Sequence, residues 1–332
     1  MNNSTTGFGE LTPDIVLSSV EKATNTNLTG LITPFPSYIN RVYEIETDDG
    51  ERLVAKFYRP GRWTEAALRE EHDFMEDCEK RDIPVVCPVK LDNENTLGTS
   101  DGFYFSVFPK KSGRLFELNS DEDYLRAGAL IGRIHSSGLS REAENRIVLD
   151  PSFSTRRDLD ELLTGNLISG NLKTEFKKVT DEILDLIIPL FEGVKRHRIH
   201  GDCHLGNILS RPDKDGDDFL MIIDFDDMAV GPAMQDLWLL LPGSLSESRK
   251  ELNLLIEGYE QFLPFDYSTS RLVEPLRAMR IIYFLAWCGR QIDDFQFRHN
   301  FPDWGTDKFW ETEILDLKKQ LDEIKESIDQ IV

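Results

Sequence analysis

Two neighbouring stretches decide the reading: "RIHGDCHLGNIL", residues 198–209, and "MIIDFDD", residues 221–227. The first places Asp202 and Asn207 five residues apart, just ahead of apolar residues that begin a strand; the second ends a strand at Asp224. An acid, an amide and a second acid in this order suit transfer of a phosphoryl group. That chemistry needs a carboxylate to orient the attacking hydroxyl and accept its proton. It also needs oxygen ligands for the Mg²⁺ that neutralises a triphosphate. D-x-x-x-x-N followed by an Asp on a nearby hairpin supplies both, with Asp202 as the base and Asn207 and Asp224 as the metal ligands. The short pattern alone occurs by chance in most long chains. The full H-G-D-x-x-x-x-N-I-L, with I-I-D-F-D behind it, is specific. Within the loop, His200 reads as a backbone anchor, and Cys203 and His204 as loop-shaping or substrate-adjacent. Asp226 either reaches a second metal or braces the loop.

Such chemistry also requires a lysine on the α- and β-phosphates, held by a glutamate on a helix. "RLVAKFY" (52–58) carries Lys56 in a strand, and period-two alternation puts Val54 on the same face, an apolar roof for adenine beside a cation. In the helical stretch "TEAALREEHDFMEDCEK" (64–80), Leu68, Phe74, Met75 and Cys78 define a buried stripe. Glu71 falls near its middle, and Glu70 lies about 100° away. A carboxylate inside an apolar stripe is costly unless paired, so Glu71 is expected to hold Lys56. No glycine-rich loop covers the phosphates: "TPFPSYINRVYEI" (33–45) contains no Gly. Ser37 stands where such a loop turns, either as a nucleotide contact or as a plain turn residue.

Around this core the chain reads as small β-rich lobe, then large helical lobe. "NRVYEIETDDGERLVAKFY" is a hairpin signal, two alternating runs joined by Asp-Asp-Gly. "GFYFSVFPK" reads as a central strand. From about residue 120 the pattern turns helical, apart from a strand pair around Ile208 and Ile222. The expected architecture is α+β, bilobal and protein-kinase-like, with a join near Pro109: residues 1–108 bind ATP and residues 109–332 carry catalysis and substrate.

The 332 residues carry a formal net charge of -22, which repels phosphate backbones and anionic lipid and argues against nucleic-acid or membrane-surface binding. Cys78, Cys87, Cys203 and Cys288 form no CxxC pair, which argues against structural zinc and fits a reduced, cytoplasmic compartment. The first residues show no export signal. "IIYFLAWC" falls short of the ~20 residues needed to span a bilayer and reads as a buried helix. "DKDGDDF" (213–219) misses the calcium-loop spacing, because Gly216 is fourth from Asp213 and Asp224 is twelfth, so a hairpin turn is expected. In the last helix, Ile314, Leu317, Leu321, Ile324, Ile328 and Ile331 form a seam too short for a coiled coil. It is expected to pack on its own lobe, in a monomer.

These residues resemble the aminoglycoside phosphotransferase and choline kinase group. The HGDxxxxN loop has Gly201 where many protein kinases have Arg, and "IIDFDDMAVGPAMQDLWLLL" runs from Asp224 almost directly into a helix. More narrowly, the chain is similar to bacterial cytosolic Ser/Thr protein kinases of that fold along nearly its whole length. Matching stretches include "SYINRVYEIE", "VAKFYRPGRWT", "GPAMQDLW", "EPLRAMRIIYFLAW" and "NFPDWGTDKFW". The resemblance implies Asp202 as proton acceptor, Asn207 and Asp224 on Mg²⁺, and Ser37 on ATP from a glycine-free loop. It implies phosphorylation of Ser or Thr in proteins, autophosphorylation, and protection of cells under envelope or oxidative stress. A small-molecule alcohol kinase would use the same residues on the same scaffold. An open acceptor groove favours protein; an enclosed acidic pocket favours a cationic small molecule. A third reading, an ATP sensor without turnover, is opposed by competent residues at every catalytic position named.

Overall fold

The structure is a computed structural model that describes residues 7–37, 39–212 and 218–329. The expected hairpin turn at 213–217, and Ile331 of the C-terminal seam, lie outside the described residues. The chain opens with α1 (Pro13–Thr24), then β1 (Leu28–Pro34), β2 (Arg41–Thr47) and β3 (Arg52–Phe57). Next come α2 (Glu65–Glu79), β4 (Gly98–Ser100), β5 (Phe103–Pro109) and β6 (Arg114–Leu115). Three helices follow, α3 (Asp121–Gly138), α4 (Arg156–Thr164) and α5 (Gly170–Ile187). Four short strands come after them, β7 (His197–Ile199), β8 (Ile208–Pro212), β9 (Asp218–Ile222) and β10 (Ala229–Gly231). The rest is helical, with α6 (Met234–Trp238), α7 (Arg249–Tyr259), α8 (Val273–Gly289), α9 (Phe295–Asn300) and α10 (Asp307–Asp329). An α+β fold with a sheet-rich N-terminal part and a helical C-terminal part is therefore what the chain adopts.

Two compact units result. One comprises the chain up to Phe116 together with Gly206–Asp226; the other comprises Glu117–Leu205 and the chain from Asp227 onward. In the first unit an antiparallel sheet runs in the order β1-β2-β3-β5-β4. The β2–β3 hairpin pairs Glu46 with Arg52 and Val42 with Lys56, and β3 pairs Lys56 with Ser106 on β5. Alternation sorts the side chains: Ala55, Phe57, Phe105 and Val107 join α1 residues Val16 and Val20 in one core cluster. Val54 and Lys56 therefore take the opposite face. Helix α2 is capped by Thr64, whose hydroxyl accepts the Ala67 amide, and buries Leu68, Glu71, Phe74, Met75 and Cys78. Strands β6, β8 and β9 make a second, smaller sheet in the same unit, with Ile208 opposite Ile222.

The second unit is a helical assembly around the short β7–β10 pair, in which Ile199 faces Ala229. Helices α3 and α7 cross at glycine: a Cβ on Gly128 would lie 1.9 Å from the Leu255 carbonyl oxygen, and one on Gly258 would lie 2.0 Å from that of Leu125. Only glycine lets the two backbones approach this closely. Helix α8 holds "IIYFLAWC" with Ile282, Leu285 and Ala286 buried. Among the described residues no helix is long and apolar enough to cross a membrane. Helix α10 buries Ile314, Leu317, Leu321 and Ile324, and packs on α5 and α8. Lys325 reaches Glu182 on α5 at 2.7 Å, so the seam is covered by helices of its own unit.

Candidate active site

In the first unit the expected lysine–glutamate pair meets. Lys56 is 7% exposed, and its Nζ lies 3.6 Å from Glu71 Oε1. Two more carboxylates converge on the same ammonium, Asp224 Oδ1 at 2.9 Å and Asp226 Oδ1 at 3.3 Å. Burial alone would lower the Lys56 pKa, but Asp224, Asp226 and Glu71 outweigh it and hold the group well above the ordinary lysine value. Arg62 reaches Asp226 from the other side. Asp226 is thus a brace between two cations, a bracing role left open by the sequence. Arg62 was not identified from the sequence at all.

The turn after β9 aims these acids. Asp224 adopts φ +63, a left-handed conformation uncommon outside glycine, and the next residue, Phe225, packs edge to face on Phe74 with ring centres 5.5 Å apart. The Asp224 side chain is 53% exposed, against 5% for Asp226. Asn207 closes a short 3-10 turn, and its carbonyl accepts the Ile223 amide at 3.0 Å, so the two expected metal ligands sit on bonded neighbouring segments. A cavity of about 340 Å³ opens here. Its apolar lining includes Val42, Val54, Phe108 and Ile223; its polar groups include Ser37, Lys56, Glu71 and Asp224, with Asn40, Lys110 and Lys111 also on the wall. Ser37 and Val54 thus both line the same cavity as Lys56.

In the second unit the loop bearing Asp202 is held by one buried acid that the sequence reading did not single out. Asp236, at the start of α6, accepts the His200 amide and the Gly201 amide, each at 2.8 Å. Its Oδ2 also meets His135 Nε2 at 2.9 Å. Burial raises the Asp236 pKa, but the His135 hydrogen bond and charge prevail, and the carboxyl stays below its usual value. Gly201 takes φ +84, and a Cβ there would stand 2.1 Å from the Asp227 carbonyl oxygen. An arginine at this position would not fit. The Asp202 amide donates to His200 Nδ1 at 3.3 Å, which makes His200 the anchor expected. Cys203 is fully buried, and burial pushes its thiol well up, which disfavours the reactive thiolate. His204 Nε2 lies 3.6 Å from Asp202 Oδ2, and Arg280 Nη2 lies 2.5 Å from Asp202 Oδ1.

Sequence reasoning had a signal for the two residues it missed here. Asp236 stands in "AMQDLWLLL" and Arg280 in "AMRIIYFLAW", each a charge inside an apolar run. The cost of an unpaired buried charge, which identified Glu71, asks the same question of both.

The residues suit a nucleotide and a hard divalent ion. Asn207 and Asp224 offer oxygen only, the donor set Mg²⁺ takes. Among the described residues no three His, Cys, Asp or Glu side chains converge as a closed metal site. Mg²⁺ needs none, since it is usually bound through one or two carboxylates plus substrate phosphates. The apolar walls fit a flat heteroaromatic base, and Lys56 brings the cation that phosphates require.

The model of the phosphotransferase enzyme family matches residues 31–273. Stress response kinase A of Escherichia coli K12 is 41% identical over 313 residues, spanning 93% of this chain and 92% of that protein. The Salmonella typhimurium serine/threonine protein kinase RdoA is 36% identical over 315 residues, 94% of this chain and 93% of its own. Among solved structures, an amicoumacin kinase in complex with AMP-PNP and Ca²⁺ superposes with a TM-score of 0.69 at 16% identity, covering 91% of this chain and 94% of that one. At that identity the likeness speaks to the fold alone.

Proposed function

The chain belongs to the phosphotransferase enzyme family, and from that premise we propose that it is an ATP- and Mg²⁺-dependent serine/threonine protein kinase. The observation that carries the proposal is the Lys56 cluster: one buried ammonium facing Glu71, Asp224 and Asp226 in an apolar-walled cavity. In this reading Lys56 takes the α- and β-phosphates and Glu71 holds it in place. Ser37 contacts the nucleotide from the glycine-free loop. Asn207 and Asp224 hold Mg²⁺, which when bound neutralises the triphosphate charge. Asp202 accepts a hydrogen bond from the acceptor hydroxyl, orients its oxygen for in-line attack on the γ-phosphorus and takes the proton, as the new oxygen–phosphorus bond forms and the bond from the γ-phosphorus to the β,γ-bridging oxygen breaks to release ADP. Protein as acceptor is supported by the name of the serine/threonine protein kinase at 36% identity, and a role in stress by that of the stress response kinase at 41%; autophosphorylation would follow from the same chemistry on a Ser or Thr of the chain itself.

The test is transfer of labelled γ-phosphate with Mg²⁺, offering generic proteins in one tube and a panel of amino alcohols and aminoglycosides in another. Label on protein is the expected result. Label on a small molecule alone would make this a small-molecule kinase, and no label despite ATP binding would make it a sensor.

A further inference from the structure

Asp202 shares its surroundings with a cation from its own unit. Arg280, on α8, sets Nη2 2.5 Å from Asp202 Oδ1 with its side chain 29% exposed. Burial works against its charge, but Asp202, Asp227 and Tyr283 more than restore it, so Arg280 is charged at every working pH. Asp227, the neighbouring acid, accepts a hydrogen bond from the Tyr283 hydroxyl at 3.0 Å. The Arg280 guanidinium lies 5.6 Å from the centre of that tyrosine ring. The carboxylates that an incoming ammonium would seek are therefore already engaged by groups of the chain. To seat a cationic acceptor at Asp202, Arg280 would have to withdraw from its ion pair or tolerate a like charge at close range.

We propose that Arg280 is a built-in cation that sets acceptor specificity. The hydroxyl presented to Asp202 must come without a positive charge beside it. A Ser or Thr in a stretch free of Lys and Arg is accepted; a cationic amino alcohol or aminoglycoside is refused. This rests on the kinase reading above and names the substrate class for the same site. The physical basis is repulsion: like charges brought together at a partly buried contact discriminate between otherwise similar partners.

The experiment is a competition. Two peptides, identical except that the single Ser is flanked by neutral residues in one and by Lys in the other, compete for transfer by the full chain with Mg²⁺ and ATP. A parallel assay offers amino alcohols. Wild type is expected to favour the Lys-free peptide by about tenfold, given the size of like-charge penalties at close, partly screened contacts. Arg280→Met should bring the ratio to near one and raise transfer to amino alcohols, whereas Arg280→Lys should keep most of the preference. A ratio is independent of overall rate, so a slow variant still reports; Arg280→Gln replaces the Met variant if that one fails to fold. An unchanged ratio without the arginine charge, or a wild-type preference for the Lys-flanked peptide, would overturn the assignment while leaving the kinase reading in place. Transfer by wild type to amino alcohols but to no peptide would remove both.

Discussion

Both the lysine cluster and the aspartate loop are made of buried charge, but they grip it differently. Around Lys56 the ion pairs to Glu71, Asp224 and Asp226 run side chain to side chain, and Asp224 is half exposed. Around Asp236 the carboxylate takes two backbone amides and an imidazole, and the residue is 1% exposed. A group held by other side chains can exchange partners when a ligand arrives; a group held by backbone amides fixes the course of the chain. The first arrangement suits binding of a charged nucleotide. The second suits keeping one loop, and with it the backbone that carries Asp202, in one conformation.

The contrast can be broken most severely at Asp236. Asp236→Ala strips the acceptor from two amides and leaves His135 without its acid, and should cost about 3–5 kcal/mol of stability, the usual penalty for breaking a buried pair. Chemical denaturation measures it, and a loss under about 1 kcal/mol would mean that the loop does not depend on this acid. Lys56→Met should act on function first. Loss of a preorganised charge at the phosphates should lower kcat/KM for ATP on the order of 10²–10³. Steady-state kinetics decide, and near-normal efficiency would end the case for Lys56 as the phosphate lysine.

Two smaller effects sharpen the comparison. His197 packs beside His135, with ring centres 4.7 Å apart, and burial together with that neighbour pushes its pKa down to about 3. The folded value lies below the unfolded one, so the unfolded chain takes up the proton first. Stability is therefore complete above the ordinary histidine value and falls as pH drops from about 6.5 toward 3, by up to about 1.4 kcal/mol per pH unit. Melting temperature against pH should show this slope, and His197→Gln should flatten it; an equal slope in the variant would place the proton elsewhere. Ser37→Ala removes one hydrogen-bonding group from the cavity and should raise KM for ATP about fivefold with kcat unchanged. An unchanged KM would leave Ser37 as a turn residue.

Much of this was legible because it is local. The β2–β3 hairpin announces itself through Asp-Asp-Gly, Lys56 and Val54 share a face by alternation, and Glu71 is marked by its place in an apolar stripe. The loop from His200 to Asn207 is a contiguous motif whose spacing carries its own chemistry. Partners such as Arg62 for Asp226, Arg280 for Asp202 and His135 for Asp236 are joined only by folding, across 164, 78 and 101 residues. No period or spacing encodes such pairs. Sequence can flag a charge that needs a partner, as in the apolar runs holding Asp236 and Arg280, but the partner itself is chosen by tertiary packing. The need for Gly201 is of the same kind, since the carbonyl that excludes a side chain there belongs to Asp227.

The most direct test of the division of labour is to measure nucleotide binding and phosphoryl transfer on one preparation of Asp202→Ala. If Asp202 acts on the acceptor hydroxyl alone, Mg²⁺–ATP binds within about threefold of wild type while transfer falls by about 10²–10⁴, the range for loss of a positioned general base. Transfer near the wild-type rate, or loss of nucleotide binding in parallel with transfer, would contradict it.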